Sequence, residues 1–387
     1  SDLDVVPITE VDPLEGQPRS TGITEVDRVL SGGLVPGSVT LLGGEPGVGK
    51  STLLLQLLAA CGGRTLYVTA EESAQQVRLR ADRLGALNEH LSLLAETSLP
   101  LIRAASAALR PELLVIDSIQ TVTDPEIGSG AGSVTQVRGC AQQLVADAKS
   151  LGITTVLVGH VTKDGNLAGP RVLEHLVDTV LSFDGDRHHS LRMLRAVKHR
   201  FGTTNELGLF EMEGEGLRAV PDASKLFLAD RRSGVPGSVV APVLEGYRPL
   251  LVEVQALVTL SSLASPRRSA QGLDQGRLAL LLAVLEQRAG LGFGPCDVYA
   301  SVVGGVRLHE PGADLAVCVA AASALTGRPV SGRVVVCGEV GLAGELRQVG
   351  QTPRRLAEAA RLGFSSAIVP QSAVVDVPGL EVHGCRT

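Results

Sequence analysis

The chain has 387 residues, a net charge of -6, 44% hydrophobic residues and only 2% aromatic residues. A chain of this length and composition is expected to form about two globular domains with aliphatic cores. The scarcity of aromatic rings excludes a protein that holds single-stranded nucleic acid mainly by base stacking. The negative charge excludes a general basic coat for nucleic acid, although it leaves room for a local basic channel.

Six cysteines are scattered along the chain, and no two of them have the C-x-x-C spacing of a zinc knuckle or a redox pair. We therefore expect buried thiols in a reducing compartment, and no zinc. The sequence has no apolar run near roughly 18 residues and does not begin with a signal pattern. These features predict a cytoplasmic protein with no membrane contact.

The predicted elements of the first half alternate between strands and helices. Residues 1–20 form an irregular lead-in, and a short helix follows within STGITEVDRVL. This alternation predicts βαβ units and a parallel sheet that is buried on both faces. The strands are SVTLLGG, TLYVT, LSLLAE, LLVIDS and TTVLVGHV, and the helices are KSTLLLQLLAAC, QQVRLRADRLG, LIRAASAALR and SVTQVRGCAQQLVADAKSLG.

After DTVLSFDGD the pattern changes, because SLRMLRAVKHR and ELGLFEMEGEGLRAV predict antiparallel strands with GEG as a turn. The Gly/Pro/Ser cluster at 232–242 indicates a boundary, so we predict domains over 21–235 and 236–387. The second domain is α+β, with a polar break, LSSLASPRRSAQG, after its first strand, PLLVEVQALVTL. Its helices are LALLLAVLEQRAG, DLAVCVAAASALTG and TPRRLAEAARLG, and its other strands are DVYASVVGG, RVVVCGEV, ELRQV and SAIVP.

The strongest motif is GEPGVGKS at 44–51, which matches G-x-x-x-x-G-K-[ST] between a predicted strand and a predicted helix. Its glycines allow backbone N–H groups to surround phosphate oxygens at a helix N-terminus. The motif predicts an ATP or ADP site in which Lys50 neutralises the β- and γ-phosphates and Ser51 ligates Mg²⁺. An ordinary glycine turn before a helix is the alternative. The predicted cofactor-binding residues are Gly44, Glu45, Pro46, Gly47, Val48, Gly49, Lys50, Ser51 and Thr52.

Acidic residues follow two other predicted strands. Asp117 ends LLVID, where a phosphate site predicts a carboxylate that holds Mg²⁺ through water. Hydrolysis also needs a group that orients or deprotonates water, and Glu71 directly follows the strand TLYVT. We prefer Glu71 to Glu72 for this catalytic role. The alternatives are a turn cap at Asp117 and a pair of solvated acids at Glu71 and Glu72.

Two polar, glycine-rich segments at 124–139 and 163–175 are candidate functional loops. We predict that Arg138, Lys163 and Arg171 contact a phosphodiester backbone in these segments. His160, at the end of TTVLVGH, is a candidate γ-phosphate sensor, together with Thr162 or Lys163. A flexible surface and a buried core histidine are the alternatives.

The heptapeptide AVKHRFG at 196–202 places Lys198 and Arg200 two residues apart at the end of a predicted strand. This spacing puts both cations on one face, where they could contact an anion. A solvated strand end followed by a turn glycine is the alternative.

Taken in order, STGITEVDRVLSGGLVPGSV, GGEPGVGKSTLLLQ, YVTAEES, VIDSIQT, GHVTKDG and AVKHRFG resemble the RadA (Sms) family of bacterial DNA repair proteins. The resemblance implies an α/β RecA-like P-loop ATPase core, with a mostly parallel sheet that ends in antiparallel strands. It also implies a C-terminal Lon-protease-like domain. The implied protein is a homo-hexameric ring that loads on single-stranded DNA, promotes branch migration of recombination intermediates, and works near the nucleoid with a RecA-type recombinase.

The resemblance also implies a catalytic role for Lys198 and Arg200. In RecA-like rings the nucleotide lies between subunits, so these cations would reach the neighbour's γ-phosphate as an arginine finger does. Direct DNA contact by the same cations is a competing role. The family's pentapeptide is Lys-Asn-Arg-Phe-Gly, and here His199 replaces the asparagine.

Two departures from the related families affect the expected function. RadA proteins usually begin with a four-cysteine zinc module that is absent here, so we expect that the N-terminus is trimmed. Active Lon domains pair a serine with a lysine, whereas HEPGADLAV has Gly312 or Ala313 at the serine position, and Arg354 or Arg355 falls near the lysine position. We therefore expect a proteolytically inactive domain, because arginine cannot act as the base.

Basic residues of 265–269 and 353–355 are candidates for a DNA surface, and simple solvation is the alternative.

Two other functions remain open at the level of sequence. One is an ATP-dependent protease of the Lon type, which needs a nucleophile. The other is a RecA-fold scaffold or autokinase that uses ATP for assembly without a response to DNA.

Overall fold

The structure is a computed structural model that describes residues 16–160, 171–185, 190–304 and 306–387. The chain divides into two compact units, the first ending at Pro221 and the second beginning at Asp222. Within the described ranges, no helix is both long and apolar enough to cross a membrane.

The first unit is built on a sheet whose described strands run in the order β3-β2-β4-β5-β1-β6-β7-β8-β9. Neighbours from β3 to β6 are parallel, and β6, β7, β8 and β9 are antiparallel. The strands are β1 (Val39–Gly44), β2 (Thr65–Thr69), β3 (Leu91–Ala95), β4 (Leu113–Asp117), β5 (Thr154–His160), β6 (Thr179–Gly185), β7 (Leu191–His199), β8 (Leu207–Glu213) and β9 (Gly216–Ala219).

Helices cover both faces of this sheet, and alternate strand residues enter two separate cores. In β4, Leu113 and Val115 pack with α2, whereas Leu114 and Ile116 pack with α4 and α5. Every residue of β4 is buried, as expected of a central parallel strand. The helices are α1 (Thr24–Val29), α2 (Lys50–Ala60), α3 (Ala74–Arg83), α4 (Leu99–Leu109), α5 (Val134–Leu151) and α6 (Arg171–Leu176).

The second unit contains a mixed sheet with the order β12-β13-β11-β10-β14-β17-β18, and a hairpin of β15 and β16. Helices α9 and α10 pack against β10 and β11, so this unit is α+β as predicted. The elements are α7 (Ala223–Phe227), β10 (Ser238–Glu245), β11 (Arg248–Leu260), β12 (Arg268–Gln271), α8 (Gln275–Ala289), β13 (Cys296–Val302), α9 (Asp314–Thr326), β14 (Val334–Val336), β15 (Glu339–Val340), β16 (Leu346–Arg347), α10 (Thr352–Arg361), β17 (Ser366–Pro370) and β18 (Glu381–Cys385).

Several elements differ from the sequence prediction. Strand β10 begins inside the cluster at 232–242, and its first six residues are buried, so that cluster is only partly a linker. Strand β12 lies within the predicted polar break, since a four-residue edge strand needs no apolar alternation. Helix α6 occupies part of the segment predicted as a loop at 163–175.

The division between the units precedes the predicted boundary at 235/236. Helix α7 belongs to the second unit because its Ser224 hydroxyl donates to Glu358 of α10 (2.6 Å) and accepts from the backbone of Leu251 in β11 (3.0 Å). These contacts hold residues before 235 against the second sheet.

Candidate functional site

The motif at 44–51 forms a turn that connects the buried end of β1 to the first residue of α2. Gly49 caps α2 with a φ of 111°, and a Cβ at this position would lie 2.6 Å from Cε of Met212. Only glycine fits this backbone conformation and this space. The turn therefore presents backbone amides at a helix N-terminus, an arrangement that binds anions.

Lys50 is the first residue of α2, and it is only 5% exposed. Its Nζ donates to the carbonyl oxygens of Gly44 (2.7 Å) and Glu45 (3.0 Å), inside the turn. Burial lowers the pKa of Lys50, while the charges of Asp117 and Glu71 act in the opposite direction. A buried lysine beside the backbone N–H groups of a helix N-terminus is an arrangement that can bind a polyphosphate.

Ser51 and Asp117 meet beside this turn, as the sequence predicts. Ser51 Oγ donates to Oδ2 of Asp117 (2.6 Å), at the carboxyl end of β4. Hydroxyl and carboxylate oxygens are the donors that Mg²⁺ prefers, so the residues present fit this ion. Thr52 follows in the first turn of α2 and is half-buried.

Tyr67 and Ser118 also contact the acidic residues of the site, and sequence reasoning missed both. The Tyr67 hydroxyl donates to the same Oδ2 of Asp117 (2.5 Å). Burial, and then the Asp117 charge, raise the pKa of Tyr67 well above its usual range, so this hydroxyl remains a donor. Ser118 Oγ donates to Oε1 of Glu71.

The two adjacent glutamates have different environments. Glu71 is exposed, and its carboxylate contacts Ser118, the residue that follows Asp117. Glu72 instead accepts from Arg80 Nη2 of α3 (2.6 Å). The backbone of Ala70 donates to Asp117 O (2.8 Å), which keeps Glu71 at the same sheet edge as the Ser51–Asp117 pair. This geometry favours Glu71 over Glu72 as the group that faces bound phosphate.

Arg192 is a further residue that sequence reasoning missed. It is buried in β7, and its Nε donates to the carbonyl oxygen of Val48 in the glycine turn (2.9 Å). The contact ties the turn to the antiparallel part of the sheet. An arginine inside the apolar stretch SLRMLRAV is the only sequence signal for it.

Lys198 and Arg200 lie at the opposite end of the sheet from the glycine turn of their own chain. Strand β7 ends at His199, which pairs with Thr179, and Thr179 pairs with Thr40 near the start of β1. The glycine turn follows the other end of β1, about 13 Å farther along the strand at ~3.3 Å per residue. These cations therefore cannot reach a nucleotide held by their own chain.

Both cations have local partners. Lys198 Nζ donates to the carbonyl oxygens of Glu174 and Val177 at the C-terminus of α6 (2.7 Å each). Arg200 Nη1 contacts Oδ1 of Asp178 (2.8 Å), yet the Arg200 side chain remains 54% exposed. The ring of the intervening His199 faces Thr179 Oγ1 (3.1 Å), and burial lowers its pKa. Arg200 is thus the more available of the two cations.

In the second unit, Arg355 and Glu310 form an ion pair beside the stretch that resembles the Lon nucleophile turn. Arg355 is 2% exposed, and both its Nη atoms contact the Glu310 carboxylate (2.5 Å each). A Cβ on Gly312 would lie 2.8 Å from Arg355 Nη1, so the predicted serine and lysine positions are adjacent in the fold. Arginine stays protonated and cannot serve as a base there.

The comparisons with known proteins agree with both halves of this description. A family model described as an AAA domain matches residues 12–166, and one described as the Lon protease (S16) C-terminal proteolytic domain matches residues 297–382. The DNA repair protein RadA of Halalkalibacterium halodurans is 51% identical over 368 residues, which cover 94% of this chain and 80% of that protein. The chain belongs to the RadA family of DNA repair proteins.

Other relatives extend the comparison. The DNA repair protein RadA of Bacillus subtilis (strain 168) is 48% identical over 384 residues, 98% of this chain and 84% of that protein. The crystal structure of a KaiC-like protein from Pyrococcus horikoshii OT3 aligns with 53% of this chain and 99% of its own, at 22% identity and a TM-score of 0.46. The RadA relatives and the two family models identify the chain as a RadA-family ATPase with a RecA-like P-loop core and a Lon-like C-terminal domain, which confirms the fold predicted from sequence.

The predicted DNA contacts of this RadA protein are only partly described. Arg138 is exposed on α5. Arg171 begins α6, but its side chain lies outside the described residues, as do the His160 side chain, Thr162 and Lys163. Within the described ranges, no group of three or more His, Cys, Asp or Glu residues could hold a metal ion.

The basic residues of 353–355 do not form a common surface in this RadA protein, which corrects that part of the prediction. Arg355 is buried against Glu310, and only Arg354 is exposed, with its guanidinium 5.7 Å from the Tyr247 ring centroid. In 265–269, Arg268 Nη2 donates to the Phe293 carbonyl oxygen (2.9 Å), whereas Arg267 is exposed.

Replacing Arg355 by alanine is expected to destabilise the Lon-like unit by about 3–5 kcal/mol, because it leaves Glu310 without its buried partner. The adjacent Arg354→Ala is the matched control and should change stability by at most about 0.5 kcal/mol. Urea unfolding of both variants, followed by far-UV circular dichroism, measures the difference. Equal stability of the two variants would show that the Arg355–Glu310 pair is not a structural support.

Proposed function

We propose that this RadA protein is a DNA-dependent ATPase that forms a hexameric ring, loads on single-stranded DNA and drives branch migration of recombination intermediates. One observation carries the proposal. The phosphate-binding turn and the cations Lys198 and Arg200 lie at opposite ends of the sheet. A head-to-tail ring brings these two surfaces of neighbouring subunits together around each nucleotide.

Within each site the contacts described above support the following proposed roles. The turn at 44–49 binds the phosphates of ATP through its backbone N–H groups, which Pro46 lacks, with Lys50 as the charged partner and Thr52 beside Ser51. Ser51 and Asp117 hold Mg²⁺, Asp117 through water, and the ion neutralises charge on the phosphate oxygens when it is bound. Glu71 orients or deprotonates the attacking water. The neighbouring subunit's Arg200, assisted by Lys198, stabilises charge on the γ-phosphate.

The DNA-facing side of the proposed ring is assigned to three cations of the ATPase domain. Arg138, Lys163 and Arg171 are proposed to contact the DNA backbone, where each neutralised phosphate adds affinity that falls with salt. A RecA-type recombinase is the proposed partner on recombination intermediates, in a cytoplasmic, nucleoid-associated setting.

We also propose that the Lon-like domain is not a protease. Neither Gly312 nor Ala313 supplies a nucleophile, and the guanidinium of Arg355 is held by Glu310. The domain is then a scaffold and a DNA surface, to which exposed Arg267 and Arg354 contribute.

The rate of ATP hydrolysis with and without single-stranded DNA tests the proposed function, for the wild type, Lys50→Ala and Lys149→Ala. Lys149 is exposed in the last turn of α5 and controls for the loss of one lysine. We expect DNA to increase the wild-type rate, and Lys50→Ala to lower it at least roughly a hundredfold, since a charged phosphate contact is lost. Lys149→Ala should behave as the wild type.

Three other outcomes would contradict the proposal. Equal rates with and without DNA would favour an ATP-dependent assembly scaffold. Phosphate retained on the protein would favour an autokinase. Digestion of casein by the wild type would show that the Lon-like domain is an active protease.

A further inference from the structure

Tyr67 lies in the middle of β2 and reaches the metal-facing carboxylate from inside the core. The residue is 1% exposed, and it pairs across the sheet with Val115 of β4. Its ring packs in the same apolar cluster as Val77 of α3 and Leu55 of α2. This packing fixes the ring, so the hydroxyl has a single position relative to β4.

The hydroxyl donates to an oxygen of Asp117 that Ser51 also contacts. Oδ2 accepts from Tyr67 at 2.5 Å and from Ser51 at 2.6 Å. In the described part of the chain, Oδ1 of Asp117 accepts no hydrogen bond. The carboxylate is thus held through one oxygen, and the other oxygen remains available for a metal-bound water.

We propose that Tyr67 is a positioning residue for metal-dependent ATP hydrolysis, which holds Oδ2 of Asp117 so that Oδ1 faces the water shell of the metal. The inference rests on the proposed Mg²⁺ role of Ser51 and Asp117. Removal of a residue that hydrogen-bonds to a metal-holding side chain commonly lowers metal affinity or activity by about 10–100-fold. Tyr67 acts through Asp117 and is not itself a ligand.

The variant Tyr67→Phe removes the hydroxyl and keeps the ring that fills the core. We expect the Mg²⁺ concentration for half-maximal ATP hydrolysis to rise about tenfold. At saturating Mg²⁺ most of the rate should return, because the other residues of the site are intact. Binding of ADP in the presence of a chelator should be unchanged, since the hydroxyl that is removed donates to Asp117.

Tyrosine fluorescence supplies a readout that does not depend on activity. The chain has three tyrosines and no tryptophan, so a Tyr247→Phe, Tyr299→Phe background leaves Tyr67 as the only tyrosine. A hydrogen bond to a carboxylate quenches tyrosine emission by accepting the proton of the excited phenol. We expect weak emission from this metal-free protein, and stronger emission when Asp117→Asn is added.

Tyr247→Phe is the matched control for hydrolysis, since it removes the same group in the Lon-like unit. We expect only Tyr67→Phe to need a higher Mg²⁺ concentration for hydrolysis. Its thermal unfolding temperature and its affinity for ADP in the presence of a chelator should equal those of the wild type. A Mg²⁺ dependence equal to that of Tyr247→Phe, or emission that Asp117→Asn does not change, would overturn the inference. A wild type that hydrolyses ATP without Mg²⁺ would instead overturn the proposed metal site.

Discussion

The variant Arg200→Ala is expected to lower the turnover rate of ATP hydrolysis by about 10³-fold while the affinity for ATP changes little. A guanidinium that reaches the γ-phosphate from a neighbouring subunit stabilises charge that develops in the transition state, and such groups contribute ~10³–10⁵-fold. The residue is half-exposed at the sheet end opposite to the glycine turn of its own chain, so we expect no contribution to ATP binding by that chain. Steady-state hydrolysis and equilibrium binding of a fluorescent ATP analogue measure the two effects separately.

Two further variants separate this catalytic role from a structural one. Arg218→Ala removes another half-exposed, ion-paired arginine on the same sheet and should keep the wild-type rate. Arg200→Lys keeps a positive charge near Asp178 but loses the planar guanidinium, so we expect intermediate activity. Wild-type turnover in Arg200→Ala would contradict the role, and so would a lowered rate that follows from unfolding alone.

The variant Glu71→Gln is expected to lower hydrolysis by about 10²–10⁴-fold with ATP still bound, because glutamine cannot accept the proton of the attacking water. In the proposed site the glycine turn and Lys50 hold the phosphates, and the substitution removes neither. Rapid-quench measurement of a single turnover, with nucleotide binding measured alongside, reports the loss in the chemical step.

Glu72→Gln is the matched control for this prediction, since it changes the adjacent residue in the same way. Its carboxylate contacts Arg80 of α3, so the loss of its charge should change hydrolysis by less than about threefold. A larger effect of Glu72→Gln than of Glu71→Gln would contradict the assignment of the catalytic role to Glu71.

The parts of the site that depend on local sequence were predictable. The glycine spacing defines the turn before α2 in one short stretch, and Asp117 ends a short apolar run of strand length, which forms the buried strand β4. The change from parallel to antiparallel strands was also predictable, because SLRMLRAVKHR and ELGLFEMEGEGLRAV have the pattern of antiparallel strands with GEG as a turn.

Contacts between distant residues were not predictable from one sequence. In the sequence, Tyr67 is an ordinary aromatic residue of a strand, yet the fold brings its hydroxyl to Asp117. Arg192 has the sequence pattern of a solvated charge, yet the fold brings it to the carbonyl oxygen of Val48. The short elements were missed for a related reason. Helix α6 has only six residues, too few for a periodic apolar pattern, and its C-terminal carbonyls are held by Lys198 from β7.

The proposed nucleotide site lies between two subunits and combines Lys50 of one with Arg200 of its neighbour. The measurement that tests it most directly is ATP hydrolysis by mixed rings of Lys50→Ala and Arg200→Ala subunits. Each variant alone should be nearly inactive with DNA. In a random equal mixture, about a quarter of the interfaces join an intact Lys50 to an intact Arg200, so we predict recovery of roughly a quarter of the wild-type rate. No recovery in rings that are shown to contain both variants would contradict a site completed by the neighbouring subunit.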